Sequence, residues 1–226
     1  MALKRSSRTI AIGDVHGCLA ALRALLAAID PQPDDTVVTM GDYVDRGPDS
    51  PGVLEELIAL GSRCRLAPLL GNHDEMLLDI CSGQTSLLSE WVLFGGDATL
   101  TSYDGRVPHG VPKRHVDFLQ SCSYYFETGT HFFVHGNYLP DVPLDRQPTD
   151  VMLWQSLRER RPGPHCSGKT AVVGHTAQKH GQILDLGYLI CIDTCCYGAG
   201  WLTALDVDSK QIWQADQQGR IRERPA

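Results

Sequence analysis

The chain has 226 residues and a formal net charge of -7, with 42% hydrophobic and 21% charged residues. This length predicts one sizeable α/β domain. The acidic balance excludes a basic nucleic-acid groove as the main function, because phosphate backbones recruit basic surfaces. No run reaches the roughly 18 apolar residues of a membrane span, so we expect no membrane partner.

The eight cysteines do not predict a disulfide scaffold. The N-terminus is basic and polar, and it leads into a short strand-like run rather than into the apolar core of a secretion signal. Metal-binding spacings such as C-x2-C are missing. We therefore expect a cytoplasmic enzyme with reduced thiols and no nucleic-acid partner.

Strand-like and helical segments alternate over the first third of the chain. Strands are predicted at 9–12, 36–40 and 65–70, with helices at 18–29 and 52–60 between them. This βαβ pattern indicates parallel pairing. Further strands are predicted at 131–134, 170–173, 182–186, 188–192, 201–207 and 211–215.

Five of these strands end at polar residues flanked by glycine. The segments that follow them are GDVHG (13–17), GDYVDRG (41–47), GNHD (71–74), His135-Gly136 and Gly174-His175. Ligands of parallel sheets gather outside the carboxyl ends of the strands, and glycine lets the backbone approach a bound group. One such segment alone is an ordinary turn. Five together, with histidine in four of them, predict one shared site.

The candidate ligands in these segments are carboxylates, an amide and imidazoles, without a thiolate. They are Asp14, His16, Asp42, Asn72, His135 and His175. This mixture suits manganese, iron or zinc rather than calcium. Six ligands exceed the four of a structural zinc site and are enough for two ions that share Asp42. Two ions about 3.5–4 Å apart can hold a hydroxide nucleophile and polarise phosphoryl oxygens.

The first three segments, in this order and spacing, resemble the signature blocks of the phosphoprotein phosphatase branch of the calcineurin-like metallophosphoesterases. WVLFGGDATLTSYDG (91–105) is similar to bacterial serine/threonine protein phosphatases. The resemblance runs from Ile10 to Leu205. It implies an α/β metallophosphoesterase fold with two packed mixed β-sheets flanked by helices, an αββα sandwich. We expect a single domain over 1–226 with a largely helical insertion at 82–128.

The resemblance also implies how the metal ligands are shared between two divalent ions, for which we expect manganese, with iron or zinc as alternatives. It assigns Asp14, His16 and Asp42 to the first ion, and Asp42, Asn72, His135 and His175 to the second. The implied reaction is direct attack on phosphorus by a hydroxide that bridges the two ions, without a phosphoenzyme.

The remaining implied roles concern catalysis and substrate binding. His73 is the expected general acid, oriented by Asp45, and Arg46 is expected to bind the phosphate because a guanidinium matches two of its oxygens. Arg158 is a candidate for a second phosphate-binding arginine. Tyr197 is expected to line the mouth of the site and contact substrate.

Three functions compete at this point. The first is hydrolysis of phosphate monoesters, on phosphoserine or phosphothreonine proteins or on small phosphoesters. The second is symmetrical hydrolysis of diadenosine tetraphosphate, because Asp74 resembles those hydrolases where protein phosphatases usually carry glutamate. The third is a non-catalytic metal-binding scaffold, against which the retained Asp45, Arg46 and His73 argue.

Overall fold

The computed structural model describes residues 7–222. Its strands form two five-stranded sheets, in the orders β10-β9-β1-β2-β3 and β4-β5-β6-β8-β7. The strands are β1 Thr9–Ile12, β2 Thr36–Thr39, β3 Arg65–Pro68, β4 Tyr125–Glu127, β5 His131–Val134, β6 Thr170–Val173, β7 Leu184–Asp185, β8 Leu189–Cys191, β9 Leu202–Asp206 and β10 Ile212–Ala215.

Helices flank both sheets, which confirms the predicted fold class. They are α1 Leu19–Ile29, α2 Ser50–Leu60, α3 Asn72–Cys81, α4 Leu88–Trp91, α5 Asp97–Ser102, α6 Lys113–Gln120 and α7 Thr149–Trp154. A kinked segment, Val92–Gly96, with Gly95 at φ 106°, joins α4 to α5, and single 3-10 turns lie at Thr85–Leu87 and Leu144–Arg146. Within the described residues, none of the helices is both long and apolar enough to span a membrane.

The first sheet pairs β1, β2 and β3 in parallel, as the βαβ pattern predicts. Strands β9 and β10 extend it with antiparallel pairing on the other side of β1. The Asp49 carboxylate accepts a hydrogen bond from the Gly52 amide at 2.8 Å and caps α2. This cap starts the helix two residues earlier than the sequence pattern indicates, because Pro51 fits the first turn.

Side chains alternate in direction along the strands, and this alternation produces three apolar layers. Ile10 and Ile12 of β1 face the helices, while Ala11 between them faces the second sheet. In β5, Phe133 packs into the same layer between the sheets, and Phe132 points to the far side. Successive side chains of a strand point to opposite faces, so each central strand contributes to two cores.

In the second sheet β5, β6 and β8 are parallel, and β4 and β7 are antiparallel edge strands. The five polar strand ends are therefore divided, with three on the first sheet and two on the second. The segment between α3 and β4 is largely helical and packs α5 and α6 against α2.

Candidate metal centre and active site

The carboxyl ends of the two sheets meet where β6 passes into Gly174 and His175. The His175 amide donates to Asp14 Oδ2 at 2.8 Å, which joins the second sheet to the loop after β1. A Cβ atom on Gly174 would collide with Asp14 Oδ1. Glycine is therefore required here, since any side chain would push the two strand ends apart.

Hydrogen bonds also tie the loops of the first sheet together. The amides of Val15 and His16 donate to the Asp42 carbonyl at 3.1 and 2.7 Å. The Asp74 carboxylate accepts from the amides of Tyr43 and Gly71 at 2.9 and 3.0 Å. Asp74 thus joins the second signature segment to the third, and its oxygens face backbone amides.

Five residues of this region have left-handed backbone conformations although none is glycine. They are His16 (φ 44°), Asp42 (φ 50°), Asp45 (φ 70°), Arg46 (φ 67°) and His175 (φ 59°). Such conformations cost on the order of 1 kcal/mol or more each and persist only where the surrounding structure imposes them. Their concentration at the strand ends makes this region the candidate functional site.

Around Asn72, atoms with lone pairs face one another. His135 donates Nδ1–H to the Met40 carbonyl at 2.7 Å, so its Nε2 carries a lone pair, and that nitrogen lies 3.1 Å from Asn72 Oδ1. His175 is in the same situation, with Nε2–H donated to the Trp154 carbonyl and Nδ1 2.9 Å from Asn72 Oδ1. Converging acceptors of this kind fit a cation between them.

A second group of candidate ligands lies beside the first. Ligand atoms of His16, Asp42 and His73 come within 4.8 Å of one another, as do those of Asp42, His135 and His175. Asp42 belongs to both groups. Among the described residues, Asp14 Oδ1 is one of two buried side-chain oxygens without a hydrogen-bond partner. An unpaired buried carboxylate oxygen fits a metal ligand, because a buried charge otherwise needs a partner.

Burial keeps the histidine rings neutral and able to bind a cation. It lowers the pKa of His16 and of His135, and together with the neighbouring His135 it lowers the pKa of His175 to about 4. Neutral imidazole is the form that binds metals. The donor set is therefore ready for divalent ions at neutral pH.

The buried carboxylates respond to their surroundings in opposite ways. Burial raises the pKa of Asp14, and the nearby charges of Asp193 and Asp42 raise it further. Burial alone would raise the pKa of Asp42 too, but the surrounding histidines, beginning with His135, outweigh burial and lower it. The pKa of Asp193 rises to about 6, mainly through burial. Three crowded carboxyl groups favour a bound cation electrostatically.

His73 and Asp45 form a buried pair next to these groups. The His73 Nδ1 atom lies 2.7 Å from Asp45 Oδ2, and both side chains are almost fully buried. Burial raises the pKa of Asp45, and hydrogen bonds from His73, Thr99 and Trp91 oppose this rise. A carboxylate that accepts the Nδ1 proton leaves Nε2 of the ring for chemistry.

Arg46 lies beside His16 and Tyr197. Its Nη1 atom is 2.7 Å from His16 Nε2, and its guanidinium carbon stands 4.6 Å from the centre of the Tyr197 ring. Tyr197 also contacts the His16 ring edge to face at 4.8 Å between centroids. A guanidinium over an aromatic ring is held by cation–π attraction. The arrangement can present a fixed positive charge to an anion.

Residues 7–177 match the sequence profile of the calcineurin-like phosphoesterases. The chain belongs to the calcineurin-like phosphoesterase family. Members of this family depend on divalent metal ions, and this dependence explains why acceptor atoms converge at the strand ends.

Relatives of this phosphoesterase carry two kinds of name. The Salmonella typhimurium protein named serine/threonine-protein phosphatase 1 is 41% identical over 204 residues, which cover 85% of this chain and 88% of that protein. The symmetrical bis(5'-nucleosyl)-tetraphosphatase of Pectobacterium carotovorum is 50% identical over 76 residues, 33% of this chain and 26% of that protein. This alignment spans only about a quarter of that tetraphosphatase.

Solved structures agree on the fold of this phosphoesterase. The crystal structure of a candidate diadenosine tetraphosphatase matches with a TM-score of 0.69 at 26% identity, covering 92% of this chain and 93% of that one. A cold-active protein-tyrosine phosphatase from a Shewanella species matches with a TM-score of 0.65 at 16% identity, covering 96% and 80%. The second likeness concerns the fold alone.

The candidate site at the strand ends contains nearly every residue that the sequence singles out. The six candidate ligands, the pair of His73 and Asp45, and Arg46 with Tyr197 all lie at the meeting strand ends. Arg158 is less central, because its Nη2 donates to the Ala177 carbonyl at 2.6 Å and the side chain is largely exposed.

Asp193 is a residue of this region that the sequence analysis passes over. It lies two residues after β8, is 2% exposed, and accepts a hydrogen bond from the Cys195 amide at 3.0 Å. The signal was available, since the run at 188–192 also ends in a carboxylate. Without a flanking glycine, that strand end did not match the pattern of the other five.

Proposed function

We propose that this chain is a metal-dependent phosphatase that hydrolyses phosphate monoesters on phosphoserine and phosphothreonine proteins. The observation that carries this proposal is the extent of the likeness to the Salmonella protein phosphatase, which covers 85% of this chain. It therefore includes the insertion, where a substrate-facing loop would lie, whereas the tetraphosphatase match covers 33%.

The proposed metal ligands overlap the two groups of converging atoms, with Asp14 in place of His73 in the first group and Asn72 added to the second. Asp14, His16 and Asp42 would hold one ion, and Asp42, Asn72, His135 and His175 the other. When bound, two such ions supply charge that polarises phosphoryl oxygens and makes a water molecule nucleophilic at neutral pH. Manganese is the proposed metal, with iron or zinc as alternatives.

His73 is proposed as the general acid. Asp45 accepts its Nδ1 proton at 2.7 Å, so Nε2 is the atom that would give a proton to the departing alkoxide of serine or threonine. An alkoxide is a poor leaving group, and protonation in the transition state removes its charge. Burial of both residues keeps the ring in one orientation.

Arg46 is proposed to bind the phosphate. In the structure its Nη1 atom donates to His16 Nε2 at 2.7 Å. That nitrogen has one lone pair, so a cation on His16 would release the guanidinium toward the phosphoryl oxygens. Tyr197 would keep the guanidinium in place through its ring. Arg158, near Ala177, is proposed as a weaker second contact.

Symmetrical hydrolysis of diadenosine tetraphosphate is the second candidate. It is favoured by the likeness to the candidate diadenosine tetraphosphatase, which covers 92% of this chain with a TM-score of 0.69. Asp74, whose identity also resembles those hydrolases, adds little because its carboxylate accepts from the Gly71 and Tyr43 amides. A residue occupied by backbone amides does not select a substrate directly.

The deciding experiment compares the two substrates on one preparation. Metal-depleted protein is resupplied with manganese and given a phosphoserine peptide or diadenosine tetraphosphate, with Asp42→Asn as the control. We expect phosphate release from the peptide that depends on manganese and disappears in the control. Preferential cleavage of the dinucleotide to ADP would replace the proposal by the second candidate. Inactivity on both would leave other phosphoesters or the metal-binding scaffold as the remaining candidates.

A further inference from the structure

The insertion between α3 and β4 contributes two buried side chains to the Asp45 carboxylate. Trp91, the last residue of α4, donates Nε1–H to Asp45 Oδ2 at 2.9 Å. Thr99 of α5 donates its hydroxyl to Asp45 Oδ1 at 2.8 Å. Both residues are fully buried. They are 46 and 54 positions away from Asp45 in the sequence, so tertiary packing alone brings them there.

All the hydrogen-bonding positions of the Thr99 hydroxyl are occupied. It accepts from the Asp45 amide at 2.8 Å and lies 2.8 Å from the Ser50 hydroxyl, while its own proton goes to the carboxylate. A hydroxyl has one donor and two acceptor sites, and all three are occupied. Ser50 belongs to α2, so Thr99 connects three separate elements around Asp45.

The segment that carries Trp91 and Thr99 is shaped to bring them together. The kink between them includes Gly96, where a Cβ atom would collide with the Trp91 ring. The neighbouring Gly95 carbonyl accepts a hydrogen bond from the Arg46 amide at 2.9 Å. Gly95 has φ 106°, so the chain turns sharply between Trp91 and Thr99 at a residue that adopts this conformation without strain.

From this geometry we propose that Trp91 and Thr99 are positioning residues that fix the Asp45 carboxylate and, through it, the orientation of the His73 ring for proton transfer to the leaving group. This inference rests on the proposed role of His73. With Trp91 on Oδ2 and Thr99 on Oδ1, the carboxylate cannot rotate, and Oδ2 stays directed at His73 Nδ1. The insertion therefore acts on the chemical step as well as on the shape of the crevice.

The test uses the leaving-group dependence of hydrolysis. Phenyl phosphate has a poor leaving group that needs a proton, whereas 2,4-dinitrophenyl phosphate releases a stable anion without one. Thr99→Val keeps the shape of the side chain and removes the hydroxyl, and Thr99→Ser keeps the hydroxyl. Trp91→Phe removes the indole N–H and keeps an aromatic ring, although a smaller one. Each variant is measured as the manganese-loaded full chain, with metal content determined.

We expect Thr99→Val and Trp91→Phe to lower kcat on phenyl phosphate by about 10-fold to 100-fold, a part of what a general acid contributes. On 2,4-dinitrophenyl phosphate the loss should stay within about 3-fold, since no proton is needed there. Thr99→Ser should restore most of the rate. Equal losses on both substrates, or no loss on either, would overturn the inference, because a general packing defect does not distinguish leaving groups.

A second readout does not depend on activity. In metal-free protein the His73 Nδ1 proton, held at 2.7 Å from Asp45, should give a downfield proton NMR resonance, assigned by its loss in His73→Asn. Thr99→Val should shift or broaden it, and an unchanged resonance would contradict the inference. If the wild-type protein hydrolyses neither substrate, the proposed function fails and this resonance alone decides whether the two residues orient His73.

Discussion

The two ends of the first sheet differ in whether their buried charged groups have hydrogen-bond partners. At the amino ends of β1 and β2, the Asp35 carboxylate accepts hydrogen bonds from the Arg8 amide, from Arg8 Nε and Nη2, and from the Gln32 amide. Arg8 also donates to the carbonyls of Ile29 and Asp30. Each guanidinium nitrogen of Arg8 faces an acceptor, which is the condition under which buried charge is tolerated.

At the carboxyl ends of the same strands, acceptors face acceptors. Asp14 Oδ1 is buried without a partner, and the lone pair of His135 Nε2 faces Asn72 Oδ1. The backbone is strained at His16 and Asp42, whereas neither Arg8 nor Asp35 has a positive φ, and Asp30 beside them has one as the C-cap of α1. One end of the sheet is therefore arranged for stability, and the other has the unpaired acceptors that the proposed metal binding requires, at a cost in stability.

The largest effect that this comparison predicts is on the carboxyl end. Asp42→Asn weakens both ligand groups and should lower kcat/KM on a phosphoserine peptide by on the order of 10³-fold or more, because several kcal/mol of charge stabilisation is lost. Metal content, measured on the same sample, should fall as well. Asp34→Asn, at an exposed neighbour of Asp35, is the control and should change neither quantity. Full metal content with normal activity in Asp42→Asn would show that this end is not a metal site.

At the amino end, Asp35→Asn should act on stability alone. Removing one partner of a buried ion pair leaves Arg8 uncompensated, so we expect the free energy of unfolding to fall by about 3 kcal/mol. For a chain of this size the melting temperature should drop by roughly 6–12 °C. Urea and thermal unfolding measure the change, and kcat at 25 °C should stay within about 2-fold of wild type. An equal loss of activity would mean that the two ends are not independent.

The same ion pair predicts a pH dependence. Burial alone would raise the pKa of Asp35, but hydrogen bonds from Arg8 and Gln32 lower it from 3.8 to about 2. A lowered folded-state pKa gives stability that is complete above about pH 4 and is lost as the pH falls through about 2. The difference in unfolding free energy between wild type and Asp35→Asn should therefore shrink between pH 5 and pH 2. A constant difference over that range would contradict the assignment.

The smallest predicted effect is an increase in stability rather than a loss. In metal-free protein Asp14→Asn removes a buried carboxylate that has an unpaired oxygen and lies near Asp42 and Asp193. We expect the free energy of unfolding in chelator to rise by about 1 kcal/mol, since the unsatisfied charge disappears. Urea unfolding with and without manganese checks this, and the ions should stabilise the variant less than the wild type. A destabilised metal-free variant would place Asp14 among the structural residues.

Local sequence signals were sufficient for much of the fold. The bounds predicted for β1, β5 and β6 match the structure residue for residue, because each is a short apolar run closed by glycine or a polar residue. The site residues were also within reach, since His135 and His175 directly follow their strands or a single glycine. Their roles as ligands stay predictions.

Other features depend on contacts that no local pattern contains. The hydrogen bonds of Trp91 and Thr99 to Asp45 cross 46 and 54 residues. The left-handed backbone at Asp42 and Asp45 is imposed by neighbouring loops, whereas sequence preferences assign such conformations chiefly to glycine. The presence of two sheets came from the family resemblance, because the βαβ pattern alone indicates one parallel sheet, and the division of the strand ends between them was not predicted.

The attachment of the insertion to Asp45 limits how this enzyme can be redesigned. A surface segment that only shaped the substrate crevice could be exchanged between relatives to transfer specificity. Here a transplanted segment that lacks an indole N–H and a hydroxyl at the positions of Trp91 and Thr99 would leave two acceptor positions on Asp45 unfilled. Exchange of the insertion between relatives should therefore preserve activity only when the incoming segment carries Trp and Thr at these two positions, or when they are introduced by mutation.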